Sequence, residues 1–168
     1  MSKAFTRESD DSGPEEISPV RTQLPHGTRN YITREGADKL KQRLQGLLHA
    51  KQELTAKGTE SGLPSEATQR KIESDIRNLQ QILDSVVVAE IPADQERIAF
   101  GARVLIRHGN GEETAYRIVG VEESDPDQGS ISWISPLART LFSKRAGDKV
   151  RFQSPAGEEE LTIVSVGY

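Results

Sequence analysis

The sequence predicts an α+β fold: an antiparallel coiled-coil helical hairpin followed by a small antiparallel sheet domain with one short helix. Three observations predict it. Between Tyr31 and Val88, apolar residues recur at alternating steps of four and three over two stretches, the spacing of a coiled-coil seam. A Gly/Ser/Pro-containing segment, 58–65, separates the stretches and is short enough to join antiparallel neighbours. Beyond Pro92 the apolar period shortens to that of strands.

The elements follow in order. Residues 1–30 combine Asp10-Asp11, Glu15-Glu16 and Pro14, Pro19 and Pro25 with few large apolar residues. Such a segment buries too little apolar surface to offset its ordering entropy, so a disordered tail is expected. Residues 31–90 read as the hairpin. Thr33 is suited to cap a helix opening at Arg34. Leu40, Leu44, Leu47, Lys51 and Leu54 form its seam, with Lys51 interrupting it and Leu48 widening it. Gly58 suits the left-handed position after the helix. Ser65 is placed to cap a second helix, whose seam is Ile72, Ile76, Leu79, Leu83 and Val86. Each arm has roughly 22 residues, or ~33 Å at the helical rise. Residues 91–99, polar and broken by Pro92, read as a linker.

Residues 100–168 read as five strands and one helix. Val104 and Ile106 share a face of the first strand, and Gly109-Asn110-Gly111 supplies turn chemistry. Thr114–Val121 is the second strand, and an acidic loop runs to Gly129. Ser130–Ile134 alternates, with Trp133 and Ile134 on opposite faces. Ser135 caps a short helix, with Pro136 at its first position. Lys149–Gln153 and Glu160–Val166 complete the strands, with Pro155 and Gly157 at turn positions.

Composition bounds the function. The chain has 168 residues, 22 basic and 26 acidic side chains, a formal charge of −4 and no cysteine. A disulfide framework, a thiolate metal site and a cysteine nucleophile are excluded. Mild acidity argues against autonomous nucleic-acid binding, for which a basic domain is the expected footprint. No run approaches the ~18 apolar residues of a membrane span. The start lacks the apolar stretch of a secretory signal, so the cytoplasm is the expected compartment. His26, His49 and His108 show no metal spacing, and no Walker loop or dinucleotide fingerprint is present.

The C-terminal residues carry a resemblance. Phe100-Gly101-Ala102, Tyr116-Arg117-Ile118-Val119-Gly120, Ile131, Ser135-Pro136-Leu137-Ala138-Arg139, Gly147-Asp148 and Pro155-Ala156-Gly157 stand in the order seen in bacterial Gre transcript cleavage factors. The stretch resembles that family's FKBP-like C-terminal domain. Tyr31-Ile32-Thr33-Arg34-Glu35-Gly36 with Leu40 resembles the start of the Gre coiled coil. The resemblance implies a factor that docks its C-terminal domain on the rim of the RNA polymerase secondary channel and inserts the coiled coil toward the active centre. Acidic tip residues then help hold a second Mg²⁺, and the polymerase cleaves the backtracked RNA. A carboxylate is a hard oxygen ligand suited to Mg²⁺, and two metals stabilise the attacking and leaving oxygens.

The tip departs from the family pattern. Aligned on Gly58, Thr59 stands where Asp is expected and Gly62 where Glu is expected. Aligned on Gly62, Glu66 matches the Glu, but Leu63 replaces the Asp. Glu60 and Glu66 are the tip carboxylates and the candidates for holding Mg²⁺ shared with the polymerase; the structural alternative is a solvated loop charge and a helix N-terminal charge. The hairpin is also about two heptads shorter than in typical Gre factors, which removes ~10 Å of reach. In this it is similar to the Rnk-type relatives.

Ser135 and Pro136 match the family position that touches the polymerase, Arg139 lies one turn on, and Ile134 or Trp133 precedes the loop on its outer face. Lys39, Lys41, Arg43 and Arg77 are interleaved with Glu35, Asp38, Glu73 and Asp75, the pattern of i,i+4 pairs on solvated helix faces. The expectation is therefore a monomeric Gre-type elongation factor that binds RNA polymerase, comes near DNA and nascent RNA only through it, and is not itself an enzyme. Cleavage stimulation and a non-cleaving, Rnk-like occupation of the channel in competition with Gre factors both stay open. Two other readings are a prolyl isomerase, suggested only by the FKBP-like domain, and a scaffold dimerising through Leu48 and Val86–Val88.

Overall fold

The computed structural model describes residues 24–25, 27–57, 66–154 and 157–168. The expectations for Gly58, Glu60, Ser65 and Pro155, and for almost all of the tail 1–30, fall outside the described residues.

Strand β1 (Asn30–Ile32) leads into helix α1 (Arg34–Lys57); helix α2 (Glu66–Ser85) returns and continues directly as strand β2 (Val86–Val88). Thr33 caps α1 as expected, its hydroxyl oxygen accepting the Gly36 N–H at 3.0 Å. The seam is half-buried along Leu40, Leu44, Leu47, Leu54, Ile72 and Leu83 and closes fully at Ile76 and Leu79. Lys51, the polar interruption, reaches across the hairpin and places its Nζ 3.0 Å from Glu73 Oε1. The hydrogen bond and charge of Lys51 hold the Glu73 carboxyl below its ordinary range. Of the charged residues named above, Lys41 pairs with Asp38 at i,i+3 and Glu73 with Lys51 across the hairpin; an i,i+4 pair forms instead at Arg70–Glu66. His49 is an exposed helix-surface residue near Glu53.

Val86 steps in register with the α2 seam, yet the helix stops at Ser85. Three successive β-branched residues favour extended backbone. The Ser85 hydroxyl also donates to the Ile82 carbonyl at 2.8 Å, drawing on the last turn of the helix. Val86–Val88 instead pair in parallel with Asn30–Ile32, and the whole hairpin is the crossover between them.

Strands β3 (Arg103–Arg107), β4 (Glu113–Val119), β5 (Ser130–Ser132), β6 (Lys149–Ser154) and β7 (Gly157–Gly167), with helix α3 (Pro136–Leu141), form the C-terminal domain. The sheet order is β5-β4-β3-β7-β6. Its β3–β4, β3–β7 and β6–β7 pairs are antiparallel. The β4–β5 pair is parallel, so the sheet is mixed where an all-antiparallel one was expected. The cause lies in the acidic loop. It folds into two short 3₁₀ turns, Val121–Glu123 and Pro126–Gln128, which carry the chain back to the end of β4 from which it can run alongside.

Val104, Ile106, Ile118, Leu141, Leu161 and Ile163 form the centre of the core. Tyr116, Trp133, Phe142, Phe152 and Tyr168 pack against it, which uses as core most of the aromatic side chains an isomerase pocket would need. Ile98 belongs to this core and not to a linker: it is 1% exposed, and its N–H donates to the Lys144 carbonyl at 2.8 Å. Among the described residues, no helix is long and apolar enough to cross a membrane.

Candidate functional site

The loop that enters α3 is fixed by its own sequence. Ser135 has extended backbone, and its hydroxyl accepts the Ala138 N–H at 3.2 Å. Pro136 takes the first helical position, where its missing N–H costs nothing. The helix has six residues, too few to stand alone, and is held by the fully buried Ala138 and Leu141. Pro136 and Arg139 are exposed, and Ser135 is half-buried. Ile134 is 8% exposed, so it supports the loop from beneath and offers little surface of its own. Alternation is resolved accordingly: Ile134 is core, and Trp133 is the half-buried member of the pair.

Trp133 does not point to open solvent. The Tyr31 ring packs edge-on against it at 5.7 Å between centroids, and Tyr31 also meets Phe100 at 5.9 Å. The base of the hairpin therefore rests on the residue two places before Ser135.

Further contacts seal this junction. The N–H of Thr33 donates to Glu123 Oε2 at 2.8 Å, and its hydroxyl donates to Glu123 Oε1. Glu123 Oε2 also accepts the Gly120 N–H at 3.1 Å. Arg117 Nη1 lies 2.5 Å from Glu35 Oε2, and this pairing holds the Glu35 carboxyl below its ordinary range. Glu35 thus bonds across to the sheet domain and not to Lys39 on its own helix. Beside it opens a cleft of about 750 Å³, walled by Arg34, Arg103 and Arg117 and by Phe100 and Tyr168. Burial pushes the Tyr168 hydroxyl up from its ordinary range; that hydroxyl donates to the Arg97 carbonyl at 2.7 Å.

Sequence reasoning missed Glu123 and the Glu35–Arg117 bond. A signal was present: Gly36 and Gly120 both stand in the motifs quoted above at positions no tight turn demands. A Cβ on Gly36 would lie 2.1 Å from Glu123 Oε1, and one on Gly120 would lie 2.3 Å from the Tyr31 carbonyl oxygen. Both glycines are there for close approach.

At the other end of the hairpin, Glu66 opens α2, and its Oε2 lies 2.9 Å from Arg70 Nη2. Its side chain is 84% exposed. Glu60 lies outside the described residues. Of the two tip carboxylates, the described one, Glu66, therefore faces solvent beside a guanidinium. Among the described residues, no group of three His, Cys, Asp or Glu side chains is gathered for a metal.

Comparison with known proteins gives these features a setting. Residues 93–168 match the family model described as transcription elongation factor, GreA/GreB, C-term. The chain is 39% identical over 155 residues to transcription elongation factor GreB of Neisseria meningitidis serogroup A, covering 84% of this chain and 95% of that protein. It is 35% identical over 150 residues to GreB of Pseudomonas aeruginosa, covering 82% and 89%. It is 35% identical over 152 residues to GreA of Alkalilimnicola ehrlichii, covering 82% and 96%. Among solved structures, GreA factor homolog 1 of Thermus thermophilus aligns over 84% of this chain and 100% of that one, at 25% identity and a TM-score of 0.40. Identity of this order over nearly the full length of the relatives places the chain in the GreA/GreB family of transcription elongation factors.

Proposed function

We propose that this elongation factor works in the cytoplasm as a monomer, binding RNA polymerase at the rim of the secondary channel through Ser135, Pro136 and Arg139, with Ile134 bracing the loop. The hairpin then projects toward the active centre and acts on stalled or backtracked complexes. The observation that carries this reading is the α3 entry: an exposed Pro136 and Arg139 on a loop locked by the Ser135 cap, in a motif that resembles the one by which the family docks. Functional contacts favour loops positioned by a rigid scaffold. Nucleic acid is approached through the polymerase, in keeping with the net charge of −4.

A second reading concerns what the hairpin does there. The tip sequence, with Thr59 or Leu63 where the family's Asp is expected, favours a factor that occupies the channel without donating a metal ligand, and so competes with cleavage-competent Gre factors. Backtracked complexes incubated with saturating protein separate the two. Unchanged cleavage, together with suppression of GreB-stimulated cleavage, supports the occupant. Faster cleavage that Glu60→Ala or Glu66→Ala abolishes supports the metal-holding role. Absence of binding to core polymerase overturns the docking proposal itself.

A further inference from the structure

The hairpin and the sheet domain share one carboxylate. Glu123, at the end of the 3₁₀ turn Val121–Glu123, accepts from the Thr33 N–H at 2.8 Å and from the Thr33 hydroxyl. The same Thr33 oxygen accepts the Gly36 N–H inside α1. The start of the hairpin helix is thus capped jointly, by its own Thr33 and by a residue some ninety positions away in the other domain. Charge-assisted bonds of this kind are the stronger class. Thr33 is 7% exposed, so little water is available to replace them.

Three further features point the same way. Gly36 leaves room for the carboxylate, which a Cβ there would meet at 2.1 Å. Glu35 ties to Arg117 at 2.5 Å one helical residue earlier. Tyr31 wedges between Phe100 and Trp133, and Trp133 leads into Ser135.

We infer that Glu123 is a positioning residue, which fixes the angle between the hairpin and the docking loop and so aims the hairpin tip. The inference rests on the docking reading above. A lever makes the angle matter. Helix α1 has 24 residues, ~36 Å at the helical rise, so a 10° swing at its base displaces its far end by ~6 Å. A displacement of that size shifts the far end of the hairpin by more than a side-chain contact distance, while the docking loop stays seated on its partner.

The test uses the full chain. It contains no cysteine, so Gln45→Cys on α1 and Ser165→Cys on β7, both exposed, accept paired spin labels cleanly. The parent should give one narrow inter-label distance distribution. Glu123→Ala should broaden it, and Glu123→Gln, which keeps an acceptor for the Thr33 N–H, should largely restore it. Gly36→Ala attacks the same contact from the opposite side by displacing the carboxylate. It also replaces a helical Gly by the best helix former, so its effect is not a loss of helix propensity in the hairpin. Both Glu123→Ala and Gly36→Ala should keep polymerase affinity within about twofold, because neither touches the docking loop. The effect on stalled complexes at saturation, whether stimulated cleavage or suppression of GreB-stimulated cleavage, should fall at least about tenfold, the scale of losing about 1.4 kcal/mol of contact in the channel. Narrow distributions in both variants, or full effect on stalled complexes despite broadening, would overturn the inference. Failure of the parent to bind polymerase would sink the docking reading instead, while the label distances still decide whether Glu123 sets the angle.

Discussion

Replacing Gly120 by Ala tests the closeness of the hairpin base to the sheet domain. The backbone of Gly120, at φ −64° and ψ 165°, is extended and open to any residue, so Ala carries no conformational penalty there. The penalty is steric. The new Cβ would lie 2.3 Å from the Tyr31 carbonyl oxygen and 3.3 Å from Ile32 Cα. A carbon–oxygen contact relaxes at about 3.3 Å, so β1 must retreat by ~1 Å. Both atoms are backbone and cannot rotate away, and β1 carries Tyr31 and the α1 cap with it. Overpacking of this kind costs ~1–3 kcal/mol. For a chain of 168 residues, each kcal/mol moves Tm by ~2–4 °C, so a fall of ~2–12 °C is expected. Thermal unfolding followed by circular dichroism reads the stability. Fluorescence of Trp133, the single tryptophan, reads its contact with Tyr31. Gly46→Ala is the matched control. Nothing lies within 4 Å of its added Cβ, and an exposed helical Gly→Ala should stabilise by ~1 kcal/mol. If Gly120→Ala melts with the parent and leaves Trp133 emission unchanged, the close packing argued for the base is refuted.

Three other outcomes are expected. Lys51→Leu completes the apolar seam and releases only an exposed pair with Glu73, so the hairpin should gain ~1 kcal/mol in thermal melts while its register becomes less well specified. The Glu35–Arg117 bond should be insensitive to pH near neutrality. The folded-state pKa of Glu35 lies below the ordinary 4.5, so its contribution is complete above that value and is lost as pH falls through the folded value. Acid titration of Tm in the parent and in Arg117→Gln should differ across the neutral range and converge at the acid end. Ser135→Ala removes the α3 cap and should cost ~1 kcal/mol, whereas Ser135→Asp, also a good cap, should keep stability near the parent's and so isolate any effect on polymerase binding.

The hairpin was legible because its seam is a local, periodic signal: the steps through Leu40, Leu44 and Leu47 and through Ile72, Ile76 and Leu79 need no knowledge of partners. The Ser135-Pro136 opening of α3 was legible for the same reason, since capping is settled within four residues. Val86 misled because it satisfies the heptad step, while what decides its state is the distant edge of Asn30–Ile32. The parallel β4–β5 pair was hidden because the direction of a strand depends on how its loop folds, and no residue of Gly120–Gly129 states that alone. Glu123 read as one acid in an acidic loop; its value comes from Thr33, remote in sequence. Ile98 reads as linker because its neighbours are polar, whereas its backbone bonds to Lys144 and Ser143, remote in sequence, set it in the core.

Binding of the full chain to core RNA polymerase, compared with a Pro136→Ala, Arg139→Glu double variant, tests the central claim most directly. Both side chains are exposed, so the variant should fold and melt as the parent does. The account predicts that the parent binds and that the double variant loses at least about tenfold in affinity, the scale of a disrupted interface anchor. A double variant that binds as tightly as the parent would contradict docking through the opening of α3.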